Sequence, residues 1–193
     1  MRLQAALFLL ASCVLPTWAI YHDEVNQIDF HHALLGIPTA HSTFFHRPSS
    51  SSSASLLYTL SDKFTLGTVN PKDGSLVWRQ NLTQPSLPRD RAEGFLRASD
   101  GADVVVSGAG EYVTAWSAVD GKLAWDARLA GGVVKDLELL EQHDPSAATT
   151  EEKDAIVLSA ESGSGIVRRL DGASGHVKWV FKDDRFDLPL TTT

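Results

Sequence analysis

One six-residue pattern occurs three times in this chain and constrains its fold more than any other feature. The copies are Asp73-Gly74-Ser75-Leu76-Val77-Trp78, Asp120-Gly121-Lys122-Leu123-Ala124-Trp125 and Ser174-Gly175-His176-Val177-Lys178-Trp179. Each reads as a turn residue, glycine, any residue, an aliphatic, any residue and tryptophan. Three of the five tryptophans therefore fall at one point of a repeat, 47 and 54 residues apart. An Asp-Gly or Ser-Gly pair supplies the backbone freedom that a tight turn requires. Alternation after the turn then places the aliphatic residue and the tryptophan on one face of a strand. That face has to be buried. A tryptophan there fills the gap between two twisted sheets, with its ring N–H directed at a backbone carbonyl.

The interval is that of a four-stranded blade in a β-propeller. The longer spacing contains Gln142 to Asp154, a polar stretch (QHDPSAATTEEKD) that reads as a loop insertion. Strands are predicted at 39–46, 56–60, 64–69 and 76–81 for the first unit and at 94–98, 103–107, 112–119 and 122–129 for the second. The third has 133–140, 155–160, 165–170 and 176–181. Residues 133–140 (VVKDLELL) favour a helix on propensity alone, but the repeat demands a strand there. The expected fold is all-β: a partial β-propeller of about three four-stranded blades in an incomplete ring. Propellers close with about four to eight blades, so three are expected to form the N-terminal part of a larger scaffold. Trp78, Trp125 and Trp179 are expected to be buried at equivalent positions.

Residues 1–19 are excluded from the fold. Arg2 precedes a mostly apolar run from Leu3 to Leu15, followed by Pro16 and Thr17-Trp18-Ala19. This is the layout of a signal peptide, too short for a stable membrane span. Two alternatives stay open: an uncleaved signal anchor, and a bacterial lipoprotein box at Leu10-Ala11-Ser12-Cys13. Cys13 is the single cysteine, so the mature chain, 20–193, has no disulfide, thiol nucleophile or cysteine metal site. Asn81-Leu82-Thr83 is an N-glycosylation sequon just after a predicted strand. With a signal peptide it points to a eukaryotic secretory compartment. The serine run 49–53 reads as a flexible loop. The formal net charge of −7 argues against nucleic acid and anionic lipid as partners, both of which call for a basic face.

No catalytic, cofactor-binding or metal-binding constellation stands out. His22, His31, His32, His41 and His46 crowd the start, but adjacent strand histidines point to opposite faces. Ser107-Gly108-Ala109-Gly110 precedes a strand, not the helix a dinucleotide site needs, and reads as a turn. Ser162-Gly163-Ser164-Gly165 reads likewise. Asp183-Asp184 reads as a solvated acidic loop rather than an acid/base pair.

The repeat resembles that of quinoprotein-dehydrogenase-like propellers. FTLGTVNPKDGSLVWRQNL (64–82), VTAWSAVDGKLAWDARL (113–129), LDGASGHVKWV (170–180) and the start Ile20-Tyr21-His22-Asp23-Glu24-Val25 with Asp29-Phe30 are similar, more narrowly, to one family. It is that of the large propeller-bearing subunit of the endoplasmic reticulum membrane protein complex. The resemblance implies a non-enzymatic lumenal scaffold without cofactor, which supports insertion of newly made membrane proteins. Its partners would be the other subunits of that complex and, indirectly, its membrane-protein clients. It also implies a membrane anchor beyond the last residues here, Leu190-Thr191-Thr192-Thr193. Quinone dehydrogenases use an adjacent cysteine pair that this sequence lacks. The other readings are a bacterial outer-membrane assembly lipoprotein with the same blade type, which Cys13 would serve, and a quinone-dependent dehydrogenase.

Overall fold

The computed structural model describes residues 35–48, 55–82, 93–99, 102–130, 132–140, 153–161 and 163–184. All belong to the compact unit His32–Thr193. The signal segment, the serine run, Thr83 and most of the 142–154 insertion lie outside the described residues.

Among the described residues twelve strands form three four-stranded sheets, each antiparallel and in chain order. Blade one is β1 (Pro38–His46), β2 (Leu56–Ser61), β3 (Thr65–Val69) and β4 (Leu76–Asn81). Blade two is β5 (Gly94–Ala98), β6 (Val104–Ala109), β7 (Tyr112–Ser117) and β8 (Leu123–Arg128). Blade three is β9 (Val133–Leu139), β10 (Ala155–Glu161), β11 (Ser164–Leu170) and β12 (Val177–Asp183).

The helix-like stretch is the strand β9, and its ambiguity has a structural source. Asp136 pairs with Leu158 and Val134 with Ser159, so Lys135 is an extra residue in the ladder. Such a bulge resets the alternation. Val134 and Leu137, three apart as on a helix face, are both fully buried.

The core sits between blades. Tyr58, Leu60, Leu66 and Trp78 of blade one pack with Leu96, Val105 and Ala118 of blade two. Val106, Val113, Trp125 and Leu129 of blade two pack with Val134, Leu137, Val157 and Leu170 of blade three. Successive strand residues face opposite sides, so Val105 serves one cluster and Val106 the other. The middle sheet is covered on both faces, and every residue of β6 is buried.

Ser107, Gly108 and Ala109 belong to β6, which corrects the reading of 107–110 as a turn. Only Gly110 turns, at φ +58. Gly108 lets the next blade approach closely: a Cβ there would lie 3.0 Å from Val134 Cγ1, tighter than ordinary contact. On the inner side, Arg97 of β5 joins all three sheets. Its guanidinium donates to His41 O (3.2 Å) of β1 and Glu138 Oε1 (3.0 Å) of β9, with Asp136 at 3.7 Å.

Candidate functional site: the joints between blades

The three repeat turns superpose in their bonding. Gly74, Gly121 and Gly175 have φ of +68, +68 and +71. Their N–H groups donate to Asn70 O, Ser117 O and Asp171 O at 2.8, 2.9 and 2.8 Å. The residue that follows each glycine accepts in return through its carbonyl, from the N–H of Asn70, Ser117 and Asp171.

From these turns each outer strand starts with a bulge that the repeat did not reveal. Thr68 pairs with Trp78 but Val69 with Leu76; Ala115 pairs with Trp125 but Trp116 with Leu123; Arg169 pairs with Trp179 but Leu170 with Val177. The skipped residue breaks the alternation. This corrects the sequence expectation that the aliphatic and the tryptophan share one buried face. Leu76, Leu123 and Val177 are exposed, while Trp78 and Trp125 are buried.

Trp78 lies against the turn of blade two. Its Nε1–H donates to Ala118 O at 3.0 Å, and the Tyr58 hydroxyl donates to the same carbonyl at 2.8 Å. The two rings meet edge to face with centroids 6.0 Å apart. Burial pushes the Tyr58 phenol above its ordinary pKa, so it remains a donor. Trp125 repeats the arrangement against blade three, donating to Gly172 O at 2.7 Å. Each accepting carbonyl lies three residues before the turn glycine of the next blade, Gly121 or Gly175. Those glycines touch the indoles: a Cβ on Gly121 would lie 2.6 Å from Trp78, and one on Gly175 2.5 Å from Trp125. The tryptophan of one blade and the glycine of the next are thus two halves of one joint.

Trp179 breaks the expectation of burial. It occupies the equivalent register, yet it is 44% exposed, and Val180 and Phe181 are exposed beside it. Among the described residues no fourth sheet faces β12, so no turn glycine covers this indole.

Blade three carries an ion network at its joint. Asp154, buried, accepts from Arg169 Nε (2.6 Å), Lys178 Nζ (2.8 Å) and the Gly172 N–H (3.1 Å). It thereby holds Gly172, the residue whose own carbonyl receives Trp125. Lys178 also reaches Asp171 at 2.8 Å, and Asp171 accepts from the N–H groups of Ala173 and Ser174. Burial raises the Asp154 carboxyl, but the hydrogen bonds from Lys178, Arg169 and Gly172 outweigh it and hold it below the ordinary range. Bonds from Lys178 and Ser174 bring Asp171 from 3.8 down to about 2.

Both folded values lie below the unfolded ones, so the network stabilises above the unfolded pKa and loses that contribution as pH falls through the folded values. Urea midpoints are expected to drop between about pH 4 and pH 2 as the unfolded chain takes up more protons. Asp171→Asn is expected to flatten that drop. An unchanged slope in the variant would show the network to be idle.

The remaining candidates are dispersed. His41 is exposed; His46 is buried, with Nε2 at 2.8 Å from Ala102 O and its ring edge-on to Tyr58. These two histidines do not meet, and His22, His31 and His32 lie outside the described residues. Among the described residues no three His, Cys, Asp or Glu side chains converge as a metal site would require. Asp183 ends β12, and Asp184 pairs with Lys182 at 3.0 Å and accepts from Ser164. Asn81 is the exposed last residue of β4 and borders a groove on blade two. No helix among the described residues is long and apolar enough to cross a membrane.

Four-stranded antiparallel sheets docked face to face through tryptophan and turn glycine define the β-propeller class. A europium-containing methanol dehydrogenase shares this fold, with a TM-score of 0.50 at 14% identity over 67% of this chain and 23% of that one. BamB from Moraxella catarrhalis superposes with a TM-score of 0.49 at 20% identity, over 80% of this chain and 38% of that one. The family described as the EMC1 N-terminal beta-propeller domain matches residues 19–188, and the chain belongs to that family. It is 29% identical over 126 residues to the ER membrane protein complex subunit 1 of Xenopus laevis. That match takes in 64% of this chain and 12% of the frog protein.

Proposed function

We propose that this chain belongs to a non-enzymatic scaffold subunit of the endoplasmic reticulum membrane protein complex. Residues 1–19 act as a signal peptide, and residues 20–193 form propeller blades on the lumenal side of the membrane. There they support insertion of newly made membrane proteins by holding other subunits in place. The observation that carries the reading is the family match over 19–188, which begins where the signal segment ends. The chemistry of the joints supports it. The buried polar side chains Trp78, Tyr58 and Trp125 are engaged with backbone of the neighbouring blade, and Asp154 with backbone and cations of its own blade, which serves rigidity rather than turnover.

The test is to tag the full gene product that contains this chain at its own locus and solubilise endoplasmic reticulum membranes in mild detergent. The tagged protein is expected to co-purify with the other subunits of the complex. Fractionation away from them would defeat the proposal.

A further inference from the structure

Asn81 borders a groove of about 250 Å³ on the outer part of blade two. Its far walls are Tyr112, Thr114 and Trp116 of β7, with Leu123 and Asp126 of β8. The mixture suits a sugar, which presents apolar C–H faces and a rim of hydroxyls to a site. Trp116 is fixed, since its Nε1–H donates to Ser107 Oγ at 2.9 Å. Tyr112 is held by the Arg128 guanidinium, 5.9 Å from its ring centroid. Thr114 and Asp126, paired across the two strands, offer a hydroxyl and a carboxylate on the same lining. Leu123, which the bulge in β8 leaves 54% exposed, adds an apolar edge.

The sequon Asn81-Leu82-Thr83 supplies an occupant tethered at the mouth. We propose that Asn81 carries an N-linked glycan whose first N-acetylglucosamine units rest in this groove. The inference rests on the lumenal reading above. In the transfer, Asn81 Nδ2 bonds to the anomeric carbon of a lipid-diphosphate-linked oligosaccharide. The bond from that carbon to the diphosphate breaks, the lipid diphosphate leaves, and the amide gives up one proton. The host membrane supplies the lipid-linked donor and its oligosaccharyl transferase the catalysis.

The full chain is translated into microsomes in two forms, one with its own residues 1–19 and one with a proven cleavable leader in their place. Import of the first form tests the lumenal reading alone, by protection from added protease. The second form enters regardless and tests the glycan. It is expected to migrate as a singly glycosylated species, and Thr83→Ala is expected to abolish that shift. Peptide N-glycosidase is expected to release the glycan roughly tenfold more slowly from native than from denatured protein, a ratio that corresponds to about 1.4 kcal/mol of protection. Leu123→Asp, an exposed change in the groove wall, is expected to bring the native rate closer to the denatured one. An imported chain without a mobility shift would overturn the modification. Equal release rates from native and denatured protein would overturn the seat in the groove and leave it to another occupant.

Discussion

Trp125→Ala is expected to destabilise the chain by about 3–5 kcal/mol, the usual cost of removing a buried tryptophan. Trp78→Ala should fall in the same range, and Trp179→Ala should cost no more than about 1 kcal/mol, as surface changes do. The repeat makes the three residues look alike; the neighbouring blade makes them different. Trp78 and Trp125 are 8% and 7% exposed, against 44% for Trp179. Phenylalanine separates packing from hydrogen bonding. At Ala118 O the Tyr58 hydroxyl still donates after the indole N–H is lost. At Gly172 O the indole is the side-chain donor. Trp125→Phe should therefore exceed Trp78→Phe by about 1 kcal/mol, the net worth of one such bond. Urea denaturation followed by far-ultraviolet circular dichroism reads these differences. Equal losses at all three positions would mean that the joints do not carry the stability.

The blades were legible because they rest on local signals. Turn glycines, a strand after each and a recurring interval of 47 to 54 residues place eleven of the twelve described strands by pattern, and repetition overrides helix propensity for β9. The bulges were not legible. A bulge is set by how one strand is hydrogen-bonded to its neighbour, and nothing in Leu76-Val77-Trp78 distinguishes a skipped residue from plain alternation. For the same reason Leu76, Leu123 and Val177 looked like core. Gly108 looked like part of a turn because its purpose lies in another blade, where Val134 approaches it. The joint was half legible. The sequence pairs each glycine with the tryptophan four residues later in its own blade. Contact is instead made with the tryptophan of the preceding blade, across 43 residues from Trp78 to Gly121 and 50 from Trp125 to Gly175. Asp154 gave no signal at all, since it sits at the end of a polar insertion and finds Arg169 and Lys178 only once β11 and β12 pair.

Gly121→Ala is expected to cost about as much as losing the tryptophan it touches, roughly 3–5 kcal/mol. Two effects combine. Gly121 has φ +68, where an L side chain is strained by about 1–2 kcal/mol. Its new Cβ would also stand 2.6 Å from Trp78 Cδ2 and Cε3. The ring has no room to yield, because its own N–H is bonded to Ala118 O in the same turn and Tyr58 packs on its edge. Gly163→Ala isolates the first effect. That glycine has φ +87 but nothing within 4 Å of an added Cβ, so only the backbone cost of about 1–2 kcal/mol remains. A double-mutant cycle isolates the second. In a Trp78→Ala background the clash is gone, and Gly121→Ala should cost little more than Gly163→Ala. The pair should then be less than additive by about 1–3 kcal/mol, the range found for residues in contact. Gly175 and Trp125 should couple in the same way, since the added Cβ would lie 2.5 Å from that indole. Gly175 and Trp179, neighbours in sequence but not partners in a joint, should add independently. If Gly175 coupled to Trp179 and not to Trp125, the joint would lie within each blade, and the docking of one blade on the next would need another cause.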